Sequence, residues 1–109
     1  MNHQEIEARS LALHRLVAEK IRRDPSLLRI ARDNLARWRG KATPNDLEYL
    51  SEWERLLEAG LDAALAAVTE ESERANALRQ ASPFAGILTP SERRAFLRAW
   101  KTVHGAHGP

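Results

Sequence analysis

The sequence has no cysteine, which excludes disulfide staples, thiolate metal sites and a cysteine nucleophile. Aromatic residues make up only 6%, and the strand-favouring Val, Ile, Thr, Tyr and Phe are few. There are five glycines and five prolines, most of them placed where a helix should begin or end. No apolar run approaches the ~18 residues of a membrane span. Nor does a charged-then-apolar signal segment open the chain. The expectation is a cytoplasmic protein with no membrane attachment.

What the chain does contain points to helices. It has 18 Ala, 15 Leu and 14 Arg among 109 residues, all strong helix formers. That length suits one domain, with a core large enough to need no staple. The fold expected is all-α: a compact bundle of five or six short antiparallel helices over residues 1–104, followed by a flexible C-terminal tail at 105–109.

The apolar spacing marks the elements. Ile6, Leu13, Leu16, Val17 and Ile21 form one stripe of a first helix ending at Asp24-Pro25, with Leu11 off the stripe and open to a second neighbour. A second helix from Pro25 to Arg39 carries Leu28, Ala31, Leu35 and Trp38 on one face, and Gly40 is expected to close it in the left-handed conformation. Thr43-Pro44-Asn45-Asp46 starts a third helix, with Leu47, Leu50, Glu54, Leu57 and Leu61 as its seam. Gly60 stops it. A short Ala-rich segment follows, and Thr69 is expected to cap a helix to Gln80. Residues 81–88 read as an ordered, apolar loop. Thr89-Pro90-Ser91-Glu92 is a capping box for a last helix that aims Phe96, Leu97, Trp100 and Val103 inward.

Net charge is only +2, yet it is unevenly spread. Residues 1–41 hold 10 Lys/Arg and 5 Asp/Glu, residues 42–73 hold 1 and 9, and residues 74–109 hold 6 and 1. The plain reading is an acidic third helix pairing with basic neighbours. A functional reading places Arg22, Arg23, Arg29, Arg32 and Lys41 against a nucleic acid, although the acidic middle would repel phosphate unless turned away. The opposite reading turns Glu48 and Glu52 toward a basic partner, such as the substrate groove of an RNA-acting enzyme.

Catalytic patterns are sparse. His104-x-x-His107 lies in a Gly-rich tail, short of the three or four converging ligands a transition metal needs. His14 reads as a surface or half-buried histidine. No Gly-rich phosphate loop or carboxylate pair in an apolar stretch occurs. Neither catalysis nor a cofactor or metal is expected.

Three segments carry a resemblance. They are Ser10-Leu11-Ala12-Leu13-His14, Tyr49-x-x-x-Trp53-Glu54, and the run from Glu73-Arg74-Ala75 through Leu78-Arg79-Gln80-x-Ser82-Pro83-Phe84-Ala85-Gly86-Ile87-Leu88-Thr89-Pro90-x-Glu92-Arg93. Together they resemble a group of small all-helical bacterial proteins that look like the antitoxin half of toxin–antitoxin pairs, with nucleotidyltransferase-type toxins. The resemblance implies a co-encoded toxin as protein partner. Candidate contacts are Leu11, Glu48, Glu52 and the Arg79–Phe84 loop with Ser82, in which Arg79 and Phe84 would form an anchor pair. Self-association as a homodimer is a further expectation.

Overall fold

The computed structural model describes residues 2–104. The expected tail at 105–109 lies outside them. The described residues form six helices: α1 (His3–Arg23), α2 (Leu28–Arg39), α3 (Pro44–Ala59), α4 (Leu61–Thr69), α5 (Glu73–Gln80) and α6 (Pro90–His104), with a 3₁₀ turn at Pro25–Leu27. Among the described residues there is no strand. No helix is long and apolar enough to cross a membrane. The protein is an all-α helical bundle.

Helix ends follow local chemistry. Asn2 and Glu5 make a capping box for α1, Thr43 and Asp46 one for α3, and Thr89 and Glu92 the one expected before α6. Asp24 accepts from the Ser26 amide and opens the 3₁₀ turn, so α2 begins at Leu28. Two expectations about ends fail. Gly40 is right-handed (φ −70°), because Lys41 donates back to the Trp38 carbonyl in a tight turn that needs no positive φ. Thr69 is the last residue of α4 and bonds the Leu65 carbonyl, while Ser72 caps α5 by accepting from the Ala75 amide. The positive φ values belong to Gly60 (118°) and Gly86 (91°).

The short apolar helix α4 lies at the centre and packs on α1, α3 and α5. Its Ala64, Leu65 and Val68 are buried, and the alanine lets neighbouring backbones approach closely. Trp53 is fully enclosed, its indole N–H donating to the Leu78 carbonyl at 3.0 Å. Phe84 sets its ring edge-on to Trp53 at 5.3 Å, so the 81–88 loop closes the core as expected, with Pro83 and Ile87 also buried.

Three stripes differ from the periodicity reading. In α1 the buried residues are His14, Val17, Ala18 and Ile21, while Leu13 and Leu16 are half-buried and Ile6 is exposed. In α3 the seam is Leu50, Trp53 and Leu57. Every residue from Thr43 to Tyr49 is exposed, since the start of α3 overhangs its neighbours. In α6 nothing is fully buried: Phe96, Leu97 and Trp100 are half-buried, and Val103 is 64% exposed. The core is already filled by α1–α5 and the loop, leaving α6 at the periphery.

Candidate interaction surfaces

The loop expected to present an anchor pair is turned inward. Arg79 and Phe84 are each 4% exposed. The Arg79 guanidinium donates to the Val68 carbonyl (3.0 Å), the Glu70 carbonyl (2.8 Å) and the Asn76 side chain. It thereby satisfies carbonyls released where α4 stops, and burial pushes its pKa down. Asn34 of α2 donates to the Pro83 and Ala85 carbonyls at 2.8 and 3.0 Å, pinning the loop from its other side. Arg79 and Phe84 are therefore structural, and their anchor role is corrected.

Ser82 remains half-buried and meets His14. His14 Nδ1 lies 2.7 Å from the Ser10 carbonyl, and Nε2 lies 2.8 Å from Ser82 Oγ. A carbonyl only accepts, so Nδ1 carries the proton and Nε2 accepts from the Ser82 hydroxyl. Burial is the largest cause pushing the His14 pKa below its ordinary value; the Arg79 charge adds to it, while the Ser10 carbonyl opposes it. The neutral ring and hydroxyl have the form of a base and nucleophile. However, the Phe84 amide donates to Ser82 Oγ (3.3 Å) rather than toward a developing oxyanion. The pair fastens α1 to the loop. His14 is thus buried, not a surface residue, because Ser82 and Ser10 answer both of its nitrogens.

Much of the charge alternation is spent inside the fold. Glu54 pairs with Arg39, Asp62 with Arg22 (3.3 Å) and Glu71 with Arg15 (3.0 Å). Glu52 is held by Arg55 and Arg74, leaving its side chain largely covered. Exposed pairs of this kind contribute only about 0–1 kcal/mol each, but they remove charge from any outward face. Glu48 keeps its exposure.

The five cations proposed for nucleic acid have different neighbours. Arg22 faces Asp62, Arg32 lines a cleft with Glu54 and Glu58, and Lys41 lines another cleft between α2 and α3. Arg23 and Arg29 are exposed.

Around α5 the surface is different. A cleft of about 350 Å³ between α2, α3 and the loop is lined by Trp38, Asp46, Tyr49 and Ser82. A second of about 390 Å³ lies between α3 and α5, lined by Glu48, Tyr49, Glu52 and Leu78. Tyr49 is the ridge between them, 39% exposed, with Leu47 at 37%. A third cleft of about 320 Å³ on the other side of α5 holds the half-buried Leu11 among Glu7, Glu71 and Glu73. Of the sequence candidates, then, Leu11, Glu48 and Ser82 stay accessible. Sequence reasoning did not single out Tyr49 as a contact, although its place in the second turn of α3, just past the capped Thr43–Asp46 start, is legible.

No group of three or more metal-ligating His, Cys, Asp or Glu side chains occurs among the described residues. Compared with protein-family models, curated proteins and solved structures, the chain matches none.

Proposed function

We propose that the protein is a non-enzymatic binding module, antitoxin-like, that neutralises a co-encoded toxin by covering its active site. The observation that carries this reading is the Tyr49 ridge. An exposed tyrosine stands between two clefts, beside Leu47 and with the free carboxylate of Glu48 at its edge. An exposed aromatic flanked by concave surface is the form a partner's anchor site takes. Carboxylates stand beside both apolar features, Glu48 at Tyr49 and Glu73 at Leu11 across α5, which suits a basic groove such as the substrate channel of an RNA-acting enzyme. Coverage of about 800 Å² on each partner would occlude such a groove. The alternative, a nucleic-acid regulator working through α1 and α2, has less support, since Arg22 is paired with Asp62 and Arg32 shares its cleft with Glu54 and Glu58.

The test is binding to the purified product of the adjoining gene, followed by biolayer interferometry. Tyr49→Ala should weaken the complex by about 30-fold, the ~2 kcal/mol of an anchor residue. Glu48→Arg should slow association, most at low salt. No complex, or an unchanged affinity for Tyr49→Ala, removes this reading.

A further inference from the structure

Helix α6 has a face that neither the core nor the Tyr49 ridge uses. Its residues fall into three stripes at i, i+4 and i+7: Arg94, Arg98 and Lys101; Ala95, Ala99 and Thr102; and Phe96, Trp100 and Val103. Phe96 and Trp100 of the third stripe are half-buried. Every residue of the first two is exposed, so the outward half of the helix is cationic and small.

The single carboxylate of α6 does not offset this charge. Glu92 accepts from the Lys20 ammonium at 2.5 Å and the Thr89 amide at 2.8 Å. Lys20 also donates to the Ile87 carbonyl at 2.8 Å, so one side chain fixes the root of α6 to α1 and the loop. From that root α6 runs about 22 Å over its 15 residues, with Phe96, Leu97 and Trp100 half-buried on one side and the two exposed stripes on the other.

Three kinds of occupant carry complementary negative charge: an acidic protein groove, an anionic lipid surface and a nucleic acid; lipid would need the Phe96–Trp100 stripe, which is already half-buried. A protein groove needs several bulky apolar anchors on the inserted helix face, and the two exposed stripes of α6 have none, with Val103 (64% exposed) standing alone at the end of the third. Small residues beside a row of cations instead allow the helix backbone to approach a floor closely while the charges reach a flanking wall. The B-DNA major groove, about 12 Å wide, accepts such a helix, whereas the deep, narrow major groove of A-form RNA does not.

We propose that α6 is a duplex-DNA-binding helix, with Arg94, Arg98 and Lys101 on the phosphates of one groove wall and Ala95, Ala99 and Thr102 against the base edges. This surface lies apart from the Tyr49 ridge, and its test needs no protein partner.

The experiment is fluorescence anisotropy of the full chain with a labelled 20-base-pair mixed-sequence DNA duplex, in 50–200 mM NaCl. Three phosphate contacts predict a log–log salt slope of about −2.7, a loss of affinity of about 40-fold across that range. Removing all three cations (Arg94→Ala, Arg98→Ala and Lys101→Ala together) should abolish binding with the helical circular-dichroism signal intact. Arg29→Ala with Arg32→Ala on α2 should leave binding unchanged. Ala99→Leu, which keeps charge and helix propensity, should weaken binding at least tenfold by blocking close approach. The proposal is overturned by absence of binding at 50 mM NaCl, by a triple variant that binds like wild type, or by an indifferent Ala99→Leu. Equal affinity for an RNA duplex of the same sequence or for polyglutamate also overturns it, since either would report attraction to any polyanion.

Discussion

In α1–α5 the buried polar side chains are answered from distant parts of the chain. Asn34 is met by the carbonyls of Pro83 and Ala85, Arg79 by those of Val68 and Glu70, and His14 by Ser82. Around them Trp53, Leu65 and Ile87 are sealed from solvent. In α6 the apolar stripe has the same period, yet none of its residues is buried, and Trp100 stacks on His104 of its own helix rather than on the core. Amphipathicity alone therefore does not place a helix in a core. Burial goes to the faces that fill the limited central space, and a helix arriving after it is full keeps its face partly wet. The buried core belongs to α1–α5 and the loop, and α6 leaves two of its stripes exposed.

The largest expected effect tests this division directly. Phe84→Ala removes a ring enclosed against Trp53 and should cost about 3–5 kcal/mol, the range for emptying a packed aromatic site. Trp100→Ala, although it deletes a larger ring, should cost only about 1 kcal/mol, typical of a site outside the packed core. Urea denaturation of both variants measures the contrast. Comparable losses would mean that α6 is part of the same cooperative core.

A smaller contrast lies within the bundle, between its two helix-ending glycines. Gly60 holds φ at 118°, where a side chain is strained although nothing crowds it, so Gly60→Ala should destabilise by about 1–3 kcal/mol. Gly40 is right-handed, and a methyl group there would make only an ordinary van der Waals contact with the Arg37 carbonyl oxygen at 3.9 Å, so Gly40→Ala should stabilise by about 0.4–1 kcal/mol. Thermal unfolding of the two variants should shift in opposite directions. Shifts of the same sign would contradict the backbone conformations.

The sequence revealed what is local and concealed what is assembled. The boxes at Thr43–Asp46 and Thr89–Glu92 were legible because each is complete within four residues. The apolar loop at 81–88 was legible because Phe84, Ile87 and Leu88 sit in a short segment interrupted by Pro83 and Gly86, and large side chains there must still find cover. The left-handed role of Gly40 was misread because glycine permits that conformation without requiring it. Arg79 looked like an interface residue because arginine and aromatic side chains are favoured at interface centres. Its inward turn follows from the break between α4 and α5 at residues 70–72, where it meets the Val68 and Glu70 carbonyls, and that break was hidden by giving the cap to Thr69 instead of Ser72. The His14–Ser82 bond spans 68 residues, beyond any periodicity. At the surface, the alternation of charge was visible, but which charges cancel was not: Glu52 is consumed by Arg74, while Glu48, one turn away, stays free.

The subtlest difference between the two regions should appear on acidification. His14 has a pKa below its ordinary value in the fold, so the unfolded chain binds the extra proton first. Stability from its burial is complete above about pH 6.5 and falls as pH drops below that value. Glu92 is also depressed, from 4.5 to about 2, chiefly by Lys20, with the Thr89 amide helping. Its contribution is complete above pH 4.5 and fades as pH falls from there toward 2. The bundle should thus begin to weaken between pH 6.5 and 5, while the root of α6 is unaffected until the pH passes below 4.5. Urea midpoints at pH 7, 6 and 5 read the first step, and His14→Gln should flatten that slope. Amide exchange in α6 between pH 5 and 3 reads the second, with Glu92→Gln already frayed at pH 5. If α6 loosened in step with the bundle above pH 5, the two regions would be one unit, and the Lys20–Glu92 clamp would not be what holds the sixth helix in place.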